Sequence, residues 1–157
     1  MLGAGPPVTG VPMTEILEAL VKKYRLFYEV SPYQELIEEA HGSPAATRRI
    51  IQAGFDVDVC GLSNKDTTEL PPPGDYALGY AGLKEIADEV LQHATECSIE
   101  VEPFASTAFS EPHSSRAEAV IRIRISHRGT PQPVGLPQQR ALEVLERQLQ
   151  GLGIRRR

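Results

Sequence analysis

The sequence lacks any long apolar run, since no stretch reaches the roughly 18 consecutive apolar residues that a membrane-spanning helix needs. Residues 1–13 contain glycine and proline but neither a basic segment nor an apolar one, so they do not resemble a signal peptide. We expect these residues to form a disordered leader. Together the two absences predict a soluble, cytoplasmic protein that has no membrane partner.

Cysteine is scarce, because Cys60 and Cys97 are the only two and lie far apart in the sequence. Without a secretion signal, both are expected to be free thiols in a reducing compartment. Buried packing is the usual fate of such residues. A nucleophilic Cys60 at the end of a strand is the alternative, but the carboxylate of Asp58, two residues earlier, opposes formation of a thiolate.

The strong catalytic and ligand-binding motifs are also missing. The chain has no GxxxxGK[ST], no GxGxxG opening a helix, no GxSxG, no HExxH and no CxxC. His93 and Cys97 are four residues apart, which on one helix would place two ligands on one face, but no second pair completes a tetrahedral site. We therefore expect no metal and no cofactor, and the sequence leaves open whether the protein is an enzyme.

Charge is present in ordinary amount but is unevenly spread. The net charge is −5. Residues 115–157 contain nine arginines against three glutamates, giving +6, whereas residues 1–114 contain seven basic and eighteen acidic residues, giving −11. This asymmetry indicates an acidic front that meets a basic back, within one molecule or between copies. The alternative is that these charges are simply solvated.

The periodicity of the second half predicts two amphipathic helices and a hairpin. At 157 residues the chain fits one domain, which we place at 14–154, followed by a basic tail at 155–157. Apolar residues recur at helical spacing in 83–97 and in 137–151. The stripes are Leu83, Ile86, Ala87, Val90, Leu91 and Ala94 in the first helix, and Ala141, Leu142, Leu145, Leu149 and Leu152 in the second.

Segments 98–106 and 117–127 alternate with period 2 and are predicted to form antiparallel strands. The pairing rests on charge, because Glu100 and Glu102 of one segment complement Arg122 and Arg124 of the other. Pro103 cannot donate to a ladder, so its strand should be an edge or carry a bulge. The loop between the strands, 106–115, should be mobile. The inward residues of the second strand are Ala117, Ala119, Ile121, Ile123 and Ile125.

A third strand at 55–60, with Phe55, Val57 and Val59 inward, completes the predicted sheet. The fold class is therefore α+β: an antiparallel sheet of about three strands with two amphipathic helices on one face. From 61 to 82 the chain has no periodicity and is predicted to be an irregular loop. No internal repeat of solenoid period is visible.

Residues 14–54 are predicted to form a helical subregion. One helix begins at Thr14, with Ile16, Leu17, Leu20, Val21 and Tyr24 on its apolar side. Periodicity does not decide whether the short segment 26–28 is a strand or a helix end. Ser31-Pro32 and Ser43-Pro44 both read as helix starts, and Gly42 and Gly54 read as helix ends. This pattern indicates a helical hairpin at 32–53.

This hairpin resembles the helix-turn-helix of DNA alkyltransferase-like proteins, through Tyr33, the turn from Gly42 to Pro44, and Arg48. In that family a tyrosine and an arginine of this neighbourhood act on a flipped base. The family's Pro-Cys-His-Arg motif is missing here, where Cys60 stands in Asp-Val-Cys-Gly. The similarity covers about a fifth of the chain, and we assign no family from it.

Three functions are compatible with these features. The leading hypothesis is a non-catalytic binding or assembly protein that acts as a homo-oligomer or with another protein, because an edge strand must be covered and a second copy can cover it. The first alternative is nucleic-acid binding through the hairpin at 32–53 and the basic tail, against which the net charge of −5 argues. The second is an enzyme with a pocket under the 61–82 loop.

Four residues are candidates for binding an anion or a partner. Arg48 and Arg49 are predicted on the third helix, and His127 and Arg128 at the end of the long strand. Guanidinium groups bind carboxylates and phosphates through paired hydrogen bonds. The alternative for each is a solvated position or pairing with the acidic half of the chain.

Overall fold

A computed structural model describes residues 12–39, 48–62, 73–111, 114–129 and 133–157. Within these ranges the helices are α1 (Met13–Tyr24), α2 (Pro73–His93) and α3 (Leu136–Gly151). The strands are β1 (Phe27–Glu39), β2 (Arg48–Cys60), β3 (Cys97–Glu111), β4 (Ser114–His127) and β5 (Arg155–Arg156). Of the leader predicted at 1–13, residues 1–11 lie outside the described ranges, and Met13 belongs to α1.

The strands form one mixed sheet in the order β3-β4-β2-β1-β5. β1 and β2, β2 and β4, and β3 and β4 are antiparallel, whereas β5 runs parallel to β1. The chain is α+β, but the prediction of an antiparallel sheet of about three strands was wrong, because the sheet has five. The predicted hairpin is confirmed in its register, in which Glu100 lies opposite Arg124 and Glu102 opposite Arg122. Pro103 lies on an edge strand, as expected.

All three helices pack on one face of the sheet and enclose a single core. Alternation along the strands places Val57, Ile121, Ile123 and Ile125 on this face with no exposed surface, whereas Phe55 is only partly buried. The stripes predicted for the helices supply the other side of the core. Its fully enclosed helical residues are Leu17, Leu83, Val90, Ala141, Leu145 and Leu149.

The helical hairpin predicted at 32–53 does not exist in this form, because β1 and β2 occupy its described residues. Two local signals were misread. Pro32 begins no helix. The carbonyl of Tyr28 accepts a hydrogen bond from the N–H of Arg157, just after β5 on the outer side of β1. Pro32, four residues further along, therefore also turns its backbone outward, and its missing N–H costs no hydrogen bond to β2. Gly54 ends no helix: a Cβ there would clash with the carbonyl oxygen of Ile125, so β2 and β4 approach each other at a distance that only glycine allows.

Both predicted loops were too long. Residues 73–82 of the segment predicted as a 61–82 loop belong to α2, and residues 63–72 lie outside the described part. Gly82 of α2 allows α1 to approach, because a Cβ there would lie 2.6 Å from Cγ of Leu17. Most of the 106–115 loop is strand, with residues 112 and 113 outside the described part. Helix α2 stops at His93, so Cys97 begins β3 and does not share a helix with His93.

An αββ unit occurs twice, which the sequence analysis missed. We call α1, β1 and β2 unit one, and α2, β3 and β4 unit two. One row across the sheet reads Val30, Val57, Ile123, Val101, so a local twofold axis lies between Val57 and Ile123. This axis relates Glu-Val-Ser-Pro-Tyr at 29–33 to Glu-Val-Glu-Pro-Phe at 100–104. The shared Glu-Val-x-Pro-aromatic motif was the signal that sequence reasoning could have used.

Candidate functional site

The face of the sheet opposite the helices carries a two-dimensional array of charges. We call it the open face and define it by the outward residues of four strands. Because side chains alternate along a strand, this face collects the positions between the core residues. Its residues are Glu29, Ser31, Tyr33 and Glu35 of β1, Asp56 and Asp58 of β2, Arg122 and Arg124 of β4, and Glu100 and Glu102 of β3.

Two ion pairs join the units at the centre of the open face, and we call these four residues the charged seam. Arg122 donates from Nε to Oδ1 of Asp58 at 2.8 Å and from Nη2 to Oδ2 at 3.1 Å. Arg124 makes the same two-point contact with Asp56, at 2.8 and 3.1 Å. Nε of Arg122 also lies 3.7 Å from Oδ2 of Asp56. Parallel bonds of this kind are among the strongest that a guanidinium makes.

Partial burial strengthens the charged seam. Asp56 is only 6% exposed although it lies on the uncovered face, and the side chains of Arg122 and Arg124 are 31% and 27% exposed. The hydrogen bond to Asp58 raises the pKa of Arg122 above its usual value, and the hydrogen bond to Asp56 does the same for Arg124. Both guanidinium groups are therefore held charged and committed to their carboxylates.

Tyr33 covers one end of the charged seam. Its ring centre lies 3.8 Å from Cζ of Arg124, close enough for a cation–π contact. Its hydroxyl donates to Oε2 of Glu35 at 2.7 Å. Burial, and then the hydrogen bond to Glu35, raise the pKa of Tyr33. The ring shields the Arg124–Asp56 pair from water and thereby limits the screening of that pair.

Four exposed carboxylates lie at the two margins of the open face. Glu29 and Glu35 lie along β1, and Glu100 and Glu102 lie along β3, and all four are exposed. We call these four residues the acidic margins. They flank the charged seam on both sides. Glu29 is paired with the guanidinium of Arg157, whereas Glu35, Glu100 and Glu102 have no cationic partner within the described residues, so the β3 margin in particular presents negative charge to an approaching molecule.

The two edges of the sheet differ. At β1, the tail strand β5 is held by a hydrogen bond from the backbone N–H of Arg157 to the carbonyl of Tyr28, 2.8 Å long. The guanidinium of Arg157 lies 3.1 Å from Oε1 of Glu29 and 5.0 Å from the ring centre of Phe27. Ile154, just before β5, is fully buried. At β3, no strand of the described ranges pairs with the outer edge.

The four residues predicted from sequence to bind an anion or partner do not come together. Arg48 and Arg49 begin β2, opposite Glu39 and Glu38, and their side chains lie outside the described part. His127 ends β4 opposite Cys97, and Arg128 donates its backbone N–H to the carbonyl of Glu96. Since Gly54 pairs with Ser126, the arginines of β2 lie about 10–15 Å further along the sheet, at about 3.3 Å per residue.

His127 carries one unusual atom: its Nδ1 is buried and has no hydrogen-bond partner within the described residues. The sequence predicted the seam arginines and two residues of the acidic margins, Glu100 and Glu102, only as a pairing between β3 and β4. The structure shows that the closest partners of the arginines are Asp56 and Asp58 of β2, which the alternation at 55–60 had placed outward.

The helix layer offers a separate groove and an exposed link between the units. The groove, of about 670 Å³, lies among α1, α2 and α3 and is lined by Glu18, His93 and Arg147 among others. The link is made by Asp75, which accepts hydrogen bonds from Nζ of Lys23 at 2.8 Å and from the hydroxyl of Tyr24 at 2.6 Å. The hydrogen bond from Lys23, followed by that from Tyr24, lowers the pKa of Asp75. The groove faces away from the open face.

Neither thiol is placed for nucleophilic chemistry. Cys60 is 5% exposed, and its Sγ lies 3.5 Å from the backbone carbonyl of Asp58. Cys97 is fully buried, and this burial raises the pKa of its thiol. A raised pKa leaves less of the thiolate, which is the reactive form.

Comparisons of the chain with protein-family models, with curated proteins and with solved structures found no match. In the described ranges, no three histidine, cysteine or acidic side chains cluster as metal ligands would. None of the helices in those ranges has the length and apolar character to cross a bilayer. The geometry of the described residues makes the open face, with its acidic margins, the candidate site.

Proposed function

We propose that this protein is a non-catalytic binding protein whose open face holds a basic surface of a partner protein. The proposal rests on one observation: the central charges of this face are paired with each other, whereas carboxylates at its margins are exposed. Its central arginines are committed to Asp56 and Asp58, Glu29 is paired with Arg157, and Glu35, Glu100 and Glu102 remain as exposed carboxylates. A surface of one accessible sign selects partners of the opposite sign and speeds their encounter.

The same charges disfavour the other candidates. Accessible carboxylates repel phosphate, so nucleic acid is a poor partner for this face, and the helical hairpin on which that alternative depended is a pair of strands. A symmetric pairing of β3 with β3 of a second copy would place Glu100 and Glu102 near their own counterparts, and like charges across strands are destabilising. We therefore favour a different, basic partner over a second copy.

A titration of the full-length, ¹⁵N-labelled protein with an oligoarginine peptide tests the proposal. We expect amide shifts to concentrate at the acidic margins, and the affinity to fall as salt is added. The double variant Glu100→Gln/Glu102→Gln should bind about two- to thirtyfold more weakly, since each of the two exposed charge pairs contributes roughly 0.2–1 kcal/mol.

The matched control is Glu85→Gln/Glu89→Gln, which removes the same charge from the exposed side of α2. This control should bind as tightly as the native protein. Shifts that concentrate on the helix layer, or equal loss of affinity in both double variants, would contradict the proposal. Equilibrium sedimentation of the protein alone tests the second copy as a partner: a dimer at micromolar concentration would favour self-association instead.

A further inference from the structure

We infer that the outer edge of β3 is a docking site for a short basic strand of a partner protein, added parallel to β3 in the way that β5 adds to β1. The inference rests on the proposed function, because it names the partner's form and where it binds. It is carried by the local twofold axis, which makes the two edges of the sheet equivalent while only one of them is occupied within the described residues.

The occupied edge shows what such a strand needs. At β1 the tail contributes a backbone donor, the N–H of Arg157, to the carbonyl of Tyr28. It also contributes a guanidinium, which lies 3.1 Å from the carboxylate of Glu29. A bond of the first kind gives affinity without regard to sequence, and a contact of the second kind selects a basic residue.

The equivalent groups are present on β3. The twofold axis relates Tyr28 to Ile99 and Glu29 to Glu100. The backbone N–H of Arg128 donates to the carbonyl of Glu96, which directs the backbone groups of Glu96 toward β4. Because N–H and C=O groups of successive residues point to opposite edges of a strand, those of Ile99 and Val101 point away from the sheet.

The prolines set the length of the site. Pro103 turns its backbone outward like Ile99 and Val101 and has no N–H to donate, so an added strand loses its ladder there. Pro32 occupies the equivalent place on β1. The usable edge of β3 is therefore short, from Ser98 to Val101, which matches a tail of two or three residues better than a long strand.

One difference lowers the expected affinity. The ring of Phe27 lies 5.0 Å from the guanidinium of Arg157, whereas Ser98 stands at the equivalent place on β3. A strand on β3 therefore lacks this cation–π contact, and it lacks the covalent link that holds the tail in place. The docking site should be weaker than its intramolecular counterpart, and a reversible partner suits it.

The test uses the full-length protein and a synthetic peptide with the sequence of residues 152–157, Leu-Gly-Ile-Arg-Arg-Arg. Amide hydrogen exchange is followed residue by residue. With peptide at ten times its dissociation constant, exchange at Ile99 and Val101 should slow by about tenfold, as mass action requires for outward amides that become covered.

Two controls separate strand pairing from charge attraction. A peptide that is N-methylated at the residue corresponding to Arg157 keeps its charges but loses the donor, and it should bind about five- to tenfold more weakly. The protein variant Glu100→Arg should lose measurable binding, whereas Glu85→Arg, on the exposed side of α2, should lose much less.

The outcomes distinguish the two proposals. Slowed exchange at Ile99 and Val101 supports the docking site. Protection or shifts confined to Phe27–Val30 would show that the peptide only displaces the tail, and would overturn it. Shifts across the acidic margins without slowed exchange at β3 would overturn the docking site but leave the proposed function standing. No binding at either place would overturn both.

Discussion

The two αββ units share a strand plan but differ in the sign of charge at the seam and in the protection of their edges. Unit one places Asp56 and Asp58 at the seam, and unit two places Arg122 and Arg124 there. Unit one has its edge covered by β5, and unit two does not within the described ranges. The comparison teaches that the common strand plan supplies the architecture, while the differences supply the cohesion and the candidate binding edge.

Reversing the sign of one unit should produce the largest effect. The variant Asp56→Arg/Asp58→Arg places four guanidinium groups in the charged seam. Its free energy of unfolding should fall by at least about 4 kcal/mol, since removing one partner of a buried ion pair costs about 3–5 kcal/mol and these two pairs are partly exposed. Urea unfolding measures the loss. Exchanging all four residues, with Arg122→Asp/Arg124→Asp added, should restore most of the stability. A fourfold exchange as unstable as the double reversal would show that shape rather than charge joins the units.

A smaller effect should separate two equivalent positions. The twofold axis relates Gly54, where an added Cβ would meet the backbone of Ile125, to Val120, which carries a buried side chain. Gly54→Ala should cost about 3 kcal/mol because β2 must move away from β4, whereas Val120→Ala should cost roughly 1–2 kcal/mol through lost burial. Gly74→Ala, where the added Cβ meets nothing within 4 Å, is the control and should not destabilise. An unchanged urea midpoint for Gly54→Ala would mean that the strands do not approach so closely.

The smallest effect concerns the exposed link between the units on the helix layer. Asp75→Asn should cost roughly 0.2–1 kcal/mol at pH 7, as exposed ion pairs do. The pKa of Asp75 is lowered in the folded protein, so its contribution is complete above the unfolded value of about 3.9 and is lost as the pH falls through the lower folded value. The stability difference from the native protein should therefore vanish in strong acid. Asp88→Asn, exposed on α2, is the control, and a difference that persists in acid would contradict this account.

Sequence reasoning succeeded where one face of an element is uniformly apolar. The isoleucine alternation at 121–125 and the apolar stripes of α2 and α3 each bury one side against the same core, so the period alone identifies them. The pairing of β3 with β4 was also predictable, because Glu100 and Glu102 have complementary partners in the next strand.

The same reasoning failed where a residue's role depends on a strand distant in sequence. Ser31-Pro32 has the local composition of a helix start. Only the outward direction of the Pro32 backbone, beyond the two residues of β1 that pair with β5, shows that the proline is tolerated in a strand. Glycine at position 54 is typical of a helix end, and only the close approach of the Ile125 backbone explains why glycine is needed there. Only the arginines of the charged seam were predicted to form ion pairs. Their pairing with Asp56 and Asp58 depends on β2 lying beside β4, and alternation along a strand does not specify the strand order.

The opposite seam charges of the two units affect which strands can pair when several newly synthesised chains fold close together. If β2 of one molecule met β2 of another in the register of the native seam, four carboxylates would face each other, and β4 with β4 would bring four guanidinium groups together. Contact between two copies of the same strand is therefore electrostatically unfavourable, whereas contact between β2 and β4 is favourable. Repulsion between like charges thus disfavours misassembly through two identical strands. The β4 strand of the same chain is covalently linked to β2 and is therefore the oppositely charged strand at the highest local concentration.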